Sequence, residues 1–292
     1  MRTSRAMSAP SREQELKIFE RGRVQLHILR GRPSRRYYLY LPGLCSRNNS
    51  ESPALSNLLV TCHGISRNAR THVVAFQNFA ERFNTAVLAP LFDDNFYPDY
   101  QRLGRKNLGH RSDLALNDML EDVEEHLGFS EKILMFGFSG GGQFVHRYAM
   151  AYPEKLKAYA LAAAGWYTFP DRRKKFPHGL RSTSRLPGLM FSSASFLKIP
   201  ACVFVGRKDH RRDDQLRKTP RIDRQQGRHR ITRGFRWVRE MNRAAQEHDL
   251  KPVFEFQLLP RSAHDFEECL ARDDLDKRVE SFFQHAGVLA NA

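Results

Sequence analysis

The chain has 292 residues, of which 41% are hydrophobic and 11% aromatic, enough for one large or two small packed domains. No apolar run reaches the length of a membrane-spanning helix, and the basic start lacks the apolar core of a secretory signal. The four cysteines have no metal-ligand spacing, and Cys62 and Cys202 lie inside apolar runs. We therefore expect a cytoplasmic protein with reduced thiols, no membrane partner and no bound metal.

The formal charge of +16 is concentrated in one part of the chain. Between residues 207 and 243 there are 14 Arg and Lys against five Asp and Glu. Such a stretch fits a nucleic-acid or acidic-substrate surface, or simply a solvated helix face with its loops. It lacks interleaved aromatic residues and matches no recognition-helix or zinc-finger pattern, which argues against dedicated nucleic-acid binding.

Hydrophobic periodicity predicts strands and helices that alternate along the chain. Residues 24–29 and 36–41 alternate like two strands and are joined by turn-forming residues, which predicts an antiparallel hairpin. Further strands are predicted over residues 58–62, 86–91, 133–138, 156–164, 201–205 and 253–259. Helices are predicted from 71 or 72 to 83, over 112–127, from 143 to near 153, over 230–248 and over 265–285.

This order predicts an α/β fold with a mostly parallel sheet of the eight-stranded type, an antiparallel start and helices on both faces. We expect residues 1–21 to form an N-terminal tail and residues 22–292 a single domain. Within it, residues 168–198 are basic, rich in Pro and Gly and poorly periodic. They are predicted to form a lid or wall.

A G-x-S-x-G motif with Ser139 at its centre stands between the apolar run 133–138 and a helical pattern. In a strand–turn–helix context the glycines allow a tight turn, and the serine hydroxyl projects from the carboxyl edge of the sheet. The alternative is a glycine-rich turn with an inert serine.

A serine hydroxyl needs a base, and the base needs a carboxylate that orients it. Asp209 follows one predicted strand and His264 follows the last, so both are expected at the edge that carries Ser139. The order Ser139, Asp209, His264 is the order of the α/β-hydrolase triad.

With the His63-Gly64-Ile65 stretch, these motifs resemble the α/β-hydrolase-fold serine hydrolases over about residues 24–285. The resemblance is to the branch of dienelactone-hydrolase-like and polyhydroxybutyrate-depolymerase-like esterases. It implies that the backbone N–H groups of Ile65 and Gly140 form an oxyanion hole. Ile65 stands where the lipase-type HGGG pattern has a second glycine, and this departure argues against that subgroup and for a single-residue hole.

Several residues rival these assignments. Asp213 or Asp214 could replace Asp209 as the carboxylate, and His63 has a second interpretation as the base. Asp93 and Asp94 end a predicted strand and either contact substrate or lie in a solvated loop.

The predicted function is hydrolysis of a carboxylic ester through an acyl-enzyme, without a metal or organic cofactor. The predicted substrate is a small molecule or an acyl ester. Anionic substrates are included, because residues 225–230 and Arg233 could clamp a carboxylate or phosphate on the substrate. Surface charge and structural ion pairs are the alternative for these arginines. A peptidase or amidase, a non-catalytic binding module and a nucleic-acid-binding protein remain alternative functions.

Overall fold

The computed structural model describes residues 19–43, 54–129, 132–184, 186 and 188–289. Most of the predicted N-terminal tail and the side chain of Cys45 lie outside these residues. Phe19, near the end of that tail, is buried and stacks on His27 of the first strand.

Eight strands form one sheet in the order β1-β2-β4-β3-β5-β6-β7-β8. The β1–β2 hairpin is antiparallel, β2 pairs antiparallel with β4, and the remaining strands are parallel. The predicted fold class is therefore confirmed. The strands are β1 Val24–Ile28, β2 Arg36–Tyr40, β3 Asn57–Cys62, β4 Thr85–Pro90, β5 Ile133–Phe138, β6 Leu156–Ala162, β7 Ala201–Gly206 and β8 Phe254–Leu259.

The helices differ from the prediction at two breaks and two additions. The predicted helix 71–83 is broken at Phe76, and the predicted helix 265–285 is broken at Asp274, which has a left-handed backbone with φ of 49°. Two short helices are not predicted from the sequence, Ser193–Phe196 and Pro220–Gln226. The α-helices are α1 Ala69–Ala75, α2 Gln77–Arg82, α3 Ser112–Leu127, α4 Gly140–Ala151, α5 Ser193–Phe196, α6 Pro220–Gln226, α7 Arg230–Glu247, α8 Phe266–Asp273 and α9 Leu275–His285.

Two hydrophobic layers cover the sheet, because alternate strand residues point to opposite faces. Helices α3, α4 and α7 pack on one face, and α1, α2, α8 and α9 pack on the other. Phe169, Phe176 and Leu180 from the predicted lid or wall are buried in the first layer. This segment therefore forms part of the core on that side of the sheet.

Among the residues described, no helix is both long enough and apolar enough to cross a membrane. The thiols of Cys62, Cys202 and Cys269 are free and buried. Burial raises the pKa of each of them.

Candidate active site

Ser139 occupies a strained turn between β5 and α4. Its backbone has φ of 52° and ψ of −110°, outside the regions that L residues usually adopt. Its N–H donates to the Ala162 carbonyl of neighbouring β6 at 2.7 Å. A Cβ on Gly141 would overlap the Cys62 carbonyl, so only glycine lets α4 approach β3 this closely. The turn presents the Ser139 hydroxyl at the carboxyl edge of the sheet.

The structure brings the three predicted side chains together at this edge. Ser139 Oγ lies 3.0 Å from His264 Nε2, and His264 Nδ1 lies 2.8 Å from Asp209 Oδ2. Asp209 follows β7, His264 follows β8, and the carboxylate is almost fully buried. A neutral imidazole that donates from Nδ1 to this carboxylate presents an unprotonated Nε2 to the hydroxyl.

The second oxygen of Asp209 is held by Arg230, an arginine of the predicted substrate clamp that here binds a residue of the protein itself. Arg230, the first residue of α7, donates to Asp209 Oδ1 at 3.0 Å and binds Asp213 at 2.7 and 3.0 Å. Arg230 is 1% exposed, so this ion pair is shielded from solvent. The sequence places Arg230 at a helix start, but nothing in its local pattern indicates burial.

The rival carboxylates have other partners. Asp213 binds Arg230, which lowers the pKa of the Asp213 carboxyl. Asp214 is exposed and pairs with Lys218. Of these three aspartates, Asp209 is the one that contacts the imidazole of His264.

His63 supports the loop beside the serine. Its Nδ1 lies 2.7 Å from the Gly64 carbonyl, and its Nε2 accepts from the Phe92 N–H at 3.1 Å. Burial lowers the pKa of His63 to about 4, so the ring is neutral near pH 7. Both ring nitrogens are occupied by main-chain groups, which fits a loop-ordering role and not that of a base.

Asp93 and Asp94 are also engaged by arginines. Asp93 pairs with Arg36 at 2.6 Å, and Asp94 pairs with Arg67. Neither residue lines the pocket that contains Ser139.

Ile65 and Gly140 flank the serine from two different elements. The Cγ2 of Ile65 would lie 3.3 Å from a Cβ placed on Gly140. Within the described ranges, neither backbone N–H donates to a main-chain carbonyl. Gly140 is the first residue of α4, where the N–H has no intrahelical acceptor.

A pocket of about 340 Å³ opens over the serine. Ile65 is 43% exposed at its wall, and Phe138 and Phe266 add apolar surface. None of the described residues of segment 168–198 lines it. The residues that line it are Gly64, Ile65, Ser66, Asn68, Phe138, Ser139, Gln215, His264, Asp265, Phe266 and Glu267.

The arginines proposed as a substrate clamp do not lie at this pocket. The guanidinium of Arg233 is buried, pairs with Asp223, and donates to the carbonyls of Gly165, Arg217 and Gly227. Its role is structural, and the clamp hypothesis is wrong for it. Arg228 is exposed and does not line the serine pocket.

Residues 57–197 match a family model described as the alpha/beta hydrolase fold. No curated protein matches the sequence significantly. Among solved structures, the chain is similar to poly(aspartic acid) hydrolase-1 from Sphingomonas sp. KT-1, with TM-score 0.70 and 22% identity over 91% of this chain and 98% of that one. It is also similar to LpqC, a poly(3-hydroxybutyrate) depolymerase from Bordetella parapertussis, with TM-score 0.71 and 24% identity over 95% and 94% of the two chains.

A third similar structure is FphF, a fluorophosphonate-binding serine hydrolase of Staphylococcus aureus. Its TM-score is 0.54, with 12% identity over 89% of this chain and 97% of that chain. The family match, the strand order and the motif residues agree with one another. The chain is therefore an α/β-hydrolase-fold protein, as the motifs in its sequence predict.

Proposed function

We propose that the protein is a serine hydrolase that cleaves a carboxylic ester through an acyl-enzyme intermediate. The observation that carries this proposal is the continuous relay from Ser139 Oγ through His264 to Asp209, with contacts of 3.0 and 2.8 Å. Both distances are within hydrogen-bond reach, so the imidazole is positioned to take the hydroxyl proton.

In the first step, Ser139 Oγ attacks the ester carbonyl carbon while His264 Nε2 takes the hydroxyl proton. The carbonyl π bond becomes a lone pair on oxygen, and the N–H groups of Ile65 and Gly140 hold this oxyanion. Asp209 stays ionised and stabilises the imidazolium. Collapse of the intermediate breaks the bond to the alkoxy oxygen, which His264 protonates.

In the second step, a water attacks the acyl-enzyme while His264 accepts its proton. The tetrahedral intermediate collapses, the acid leaves, and His264 returns the proton to Ser139. These steps use only this chain's own residues and the two substrates, ester and water.

Replacing the nucleophile tests the proposal. We expect Ser139→Ala to lower kcat for p-nitrophenyl esters at least about 10³-fold and to abolish covalent labelling by a fluorophosphonate. Ser192→Ala, which removes an exposed hydroxyl paired with Ser195, is the matched control and should keep full turnover and labelling. Undiminished hydrolysis by Ser139→Ala would exclude the mechanism.

Amide hydrolysis is a second candidate, because the same groups can attack an amide carbonyl. One structural neighbour is described as a poly(aspartic acid) hydrolase, and another as a polyester depolymerase. Rates on p-nitrophenyl esters and aminoacyl anilides distinguish the two activities. Faster turnover of the anilides, relative to their uncatalysed rates, would favour the amidase.

A further inference from the structure

A second pocket at the same edge of the sheet is lined by cations. We call it the basic pocket, and its volume is about 400 Å³. Trp166 forms part of its wall, and His178 lies with its ring centroid 5.3 Å from that of Trp166. No carboxylate is among the described residues that line it. Its cations are Arg102, Lys175, Arg217 and Arg221.

Three of the four cations in the basic pocket make no ion pair with a described residue, although Asp99 acts on Arg217 from a distance. Arg102 pairs with Asp99 at 2.6 Å, but in the described part of the chain Lys175, Arg217 and Arg221 make no ion pair. Arg217 lies over the Trp166 ring, 5.2 Å from its centroid. Burial and repulsion from Arg102 lower the pKa of the Arg217 guanidinium.

Two buried polar atoms beside Trp166 have no hydrogen-bond partner among the described residues. The guanidinium of Arg147 lies 4.3 Å from the Trp166 ring centroid, and its Nη2 is buried without a partner among the described residues. The Nδ1 of His178 is likewise buried and unpartnered. Like charges and an unpaired guanidinium donor at one site are costly unless an anion enters to bind them.

The basic pocket lies next to the serine pocket. Trp166 follows β6, whose Ala162 carbonyl accepts from the Ser139 N–H. Along one short stretch, Gln215 lines the serine pocket and Arg217 lines the basic pocket. A second connection runs through Gln101 and Arg102. The Nε2 of Gln101 lies 3.0 Å from the position that a Cβ on Gly140 would occupy, and the next residue, Arg102, lines the basic pocket.

We propose that the basic pocket binds a carboxylate on the substrate whose ester carbonyl lies at Ser139. This inference rests on the proposed function and adds a substrate class to it, namely esters with an anionic end. Carboxylate is the anion that ester hydrolysis itself generates, and guanidinium groups bind it with paired, charge-assisted hydrogen bonds. Arg217 and Arg221 are the side chains that select for it.

The test compares charged and neutral esters of equal length. Mono-(4-nitrophenyl) esters of glutaric, adipic and suberic acids carry the carboxylate on the acyl side, and their methyl-capped diesters are the neutral counterparts. Acetate esters of the corresponding hydroxy acids, followed by acid release, place the carboxylate on the alcohol side. We expect kcat/KM to favour the charged ester by about 10-fold to 100-fold at one length in one series.

The double variant Arg217→Gln, Arg221→Gln should lose this preference while its rate on neutral esters stays unchanged. The matched control, Arg236→Gln with Arg239→Gln, removes two charges from a different groove along α7 and should keep the preference. No preference at any length, a preference that survives the double variant, or equal loss in the control would each overturn the carboxylate site. The hydrolase proposal would still hold in each of these cases if the protein hydrolyses neutral esters and this activity requires Ser139.

Discussion

At the scale of single residues, Asp209 connects the imidazole of His264 to the guanidinium of Arg230. One carboxylate oxygen contacts His264 and the other contacts Arg230, so both oxygens are held in place away from solvent. A buried carboxylate without such partners would be protonated or displaced. The position of the imidazole therefore depends on a charge network that begins at α7.

This network predicts different outcomes for two neighbouring aspartates. We expect Asp209→Asn to lower kcat by about 10⁴-fold, because the amide cannot hold the imidazole in the required tautomer. Asp213→Asn should change kcat less than about tenfold, because the Asp209–His264 contact does not involve it. Steady-state kinetics on one p-nitrophenyl ester with both variants decides the matter. A larger loss for Asp213→Asn would move the carboxylate role to that residue.

The sequence predicts the serine, the aspartate and the histidine because each follows a strand, and parallel strands end at one edge. It places Arg230 in a substrate clamp and not on Asp209, and it does not single out Arg147. An arginine in a basic stretch looks the same whether it is exposed or buried, since burial is decided by distant partners such as Asp209. For the same reason the clamp hypothesis chose Arg233, whose partners are main-chain carbonyls.

At the scale of elements, strand positions follow from the sequence within one or two residues, whereas helix breaks do not. The apolar spacing of the helices continues across Phe76 and Asp274, with neither Gly nor Pro at the break. Asp274 has a left-handed backbone, and residues of α8 and α9 on either side of it are buried in the same hydrophobic layer. Local periodicity carries no information about that packing.

The contact between α4 and β3 predicts a steric limit at Gly141. We expect Gly141→Ala to lower the free energy of unfolding by more than about 3 kcal/mol, because its Cβ would overlap the Cys62 carbonyl. Gly128→Ala is the control. It has open space but φ of 65°, and should cost about 1 kcal/mol. Urea unfolding of both variants measures the difference, and equal midpoints would contradict the packing described.

At the scale of the whole molecule, three histidines are buried without charge. His63, His72 and His146 each have a pKa lowered mainly by burial, in His63 to about 4. His146 joins α4 to the wall segment, since its Nε2 accepts from the Thr168 N–H at 3.0 Å. Such rings stabilise the fold only while they are neutral.

Stability should therefore fall in mildly acidic solution. The unfolded chain protonates these histidines near pH 6.5, whereas the folded chain resists protonation to a lower pH. Their contribution is complete above pH 6.5 and is lost as the pH falls below it. For His63, with a pKa of about 4 in the folded chain, the loss at pH 5 is about 2 kcal/mol. Urea midpoints at pH 5, 6, 7 and 8 test this. His146→Gln should reduce the pH slope, His285→Gln at the surface should not, and equal midpoints at pH 5 and 8 would refute the prediction.

The first turn of α7 contacts both the Asp209 carboxylate and the wall of the basic pocket. Arg230 donates to the Asp209 carboxylate behind the imidazole. Three residues later, Arg233 donates to the carbonyls of Gly165, next to Trp166, and of Arg217, and both Trp166 and Arg217 line the basic pocket. With the roles proposed above, a shift of this single turn would alter turnover and the choice of substrate at the same time. Engineering a new specificity by moving α7 would therefore disturb the chemistry as well, whereas exchanging side chains at positions 217 and 221 would leave the anchor of Asp209 in place.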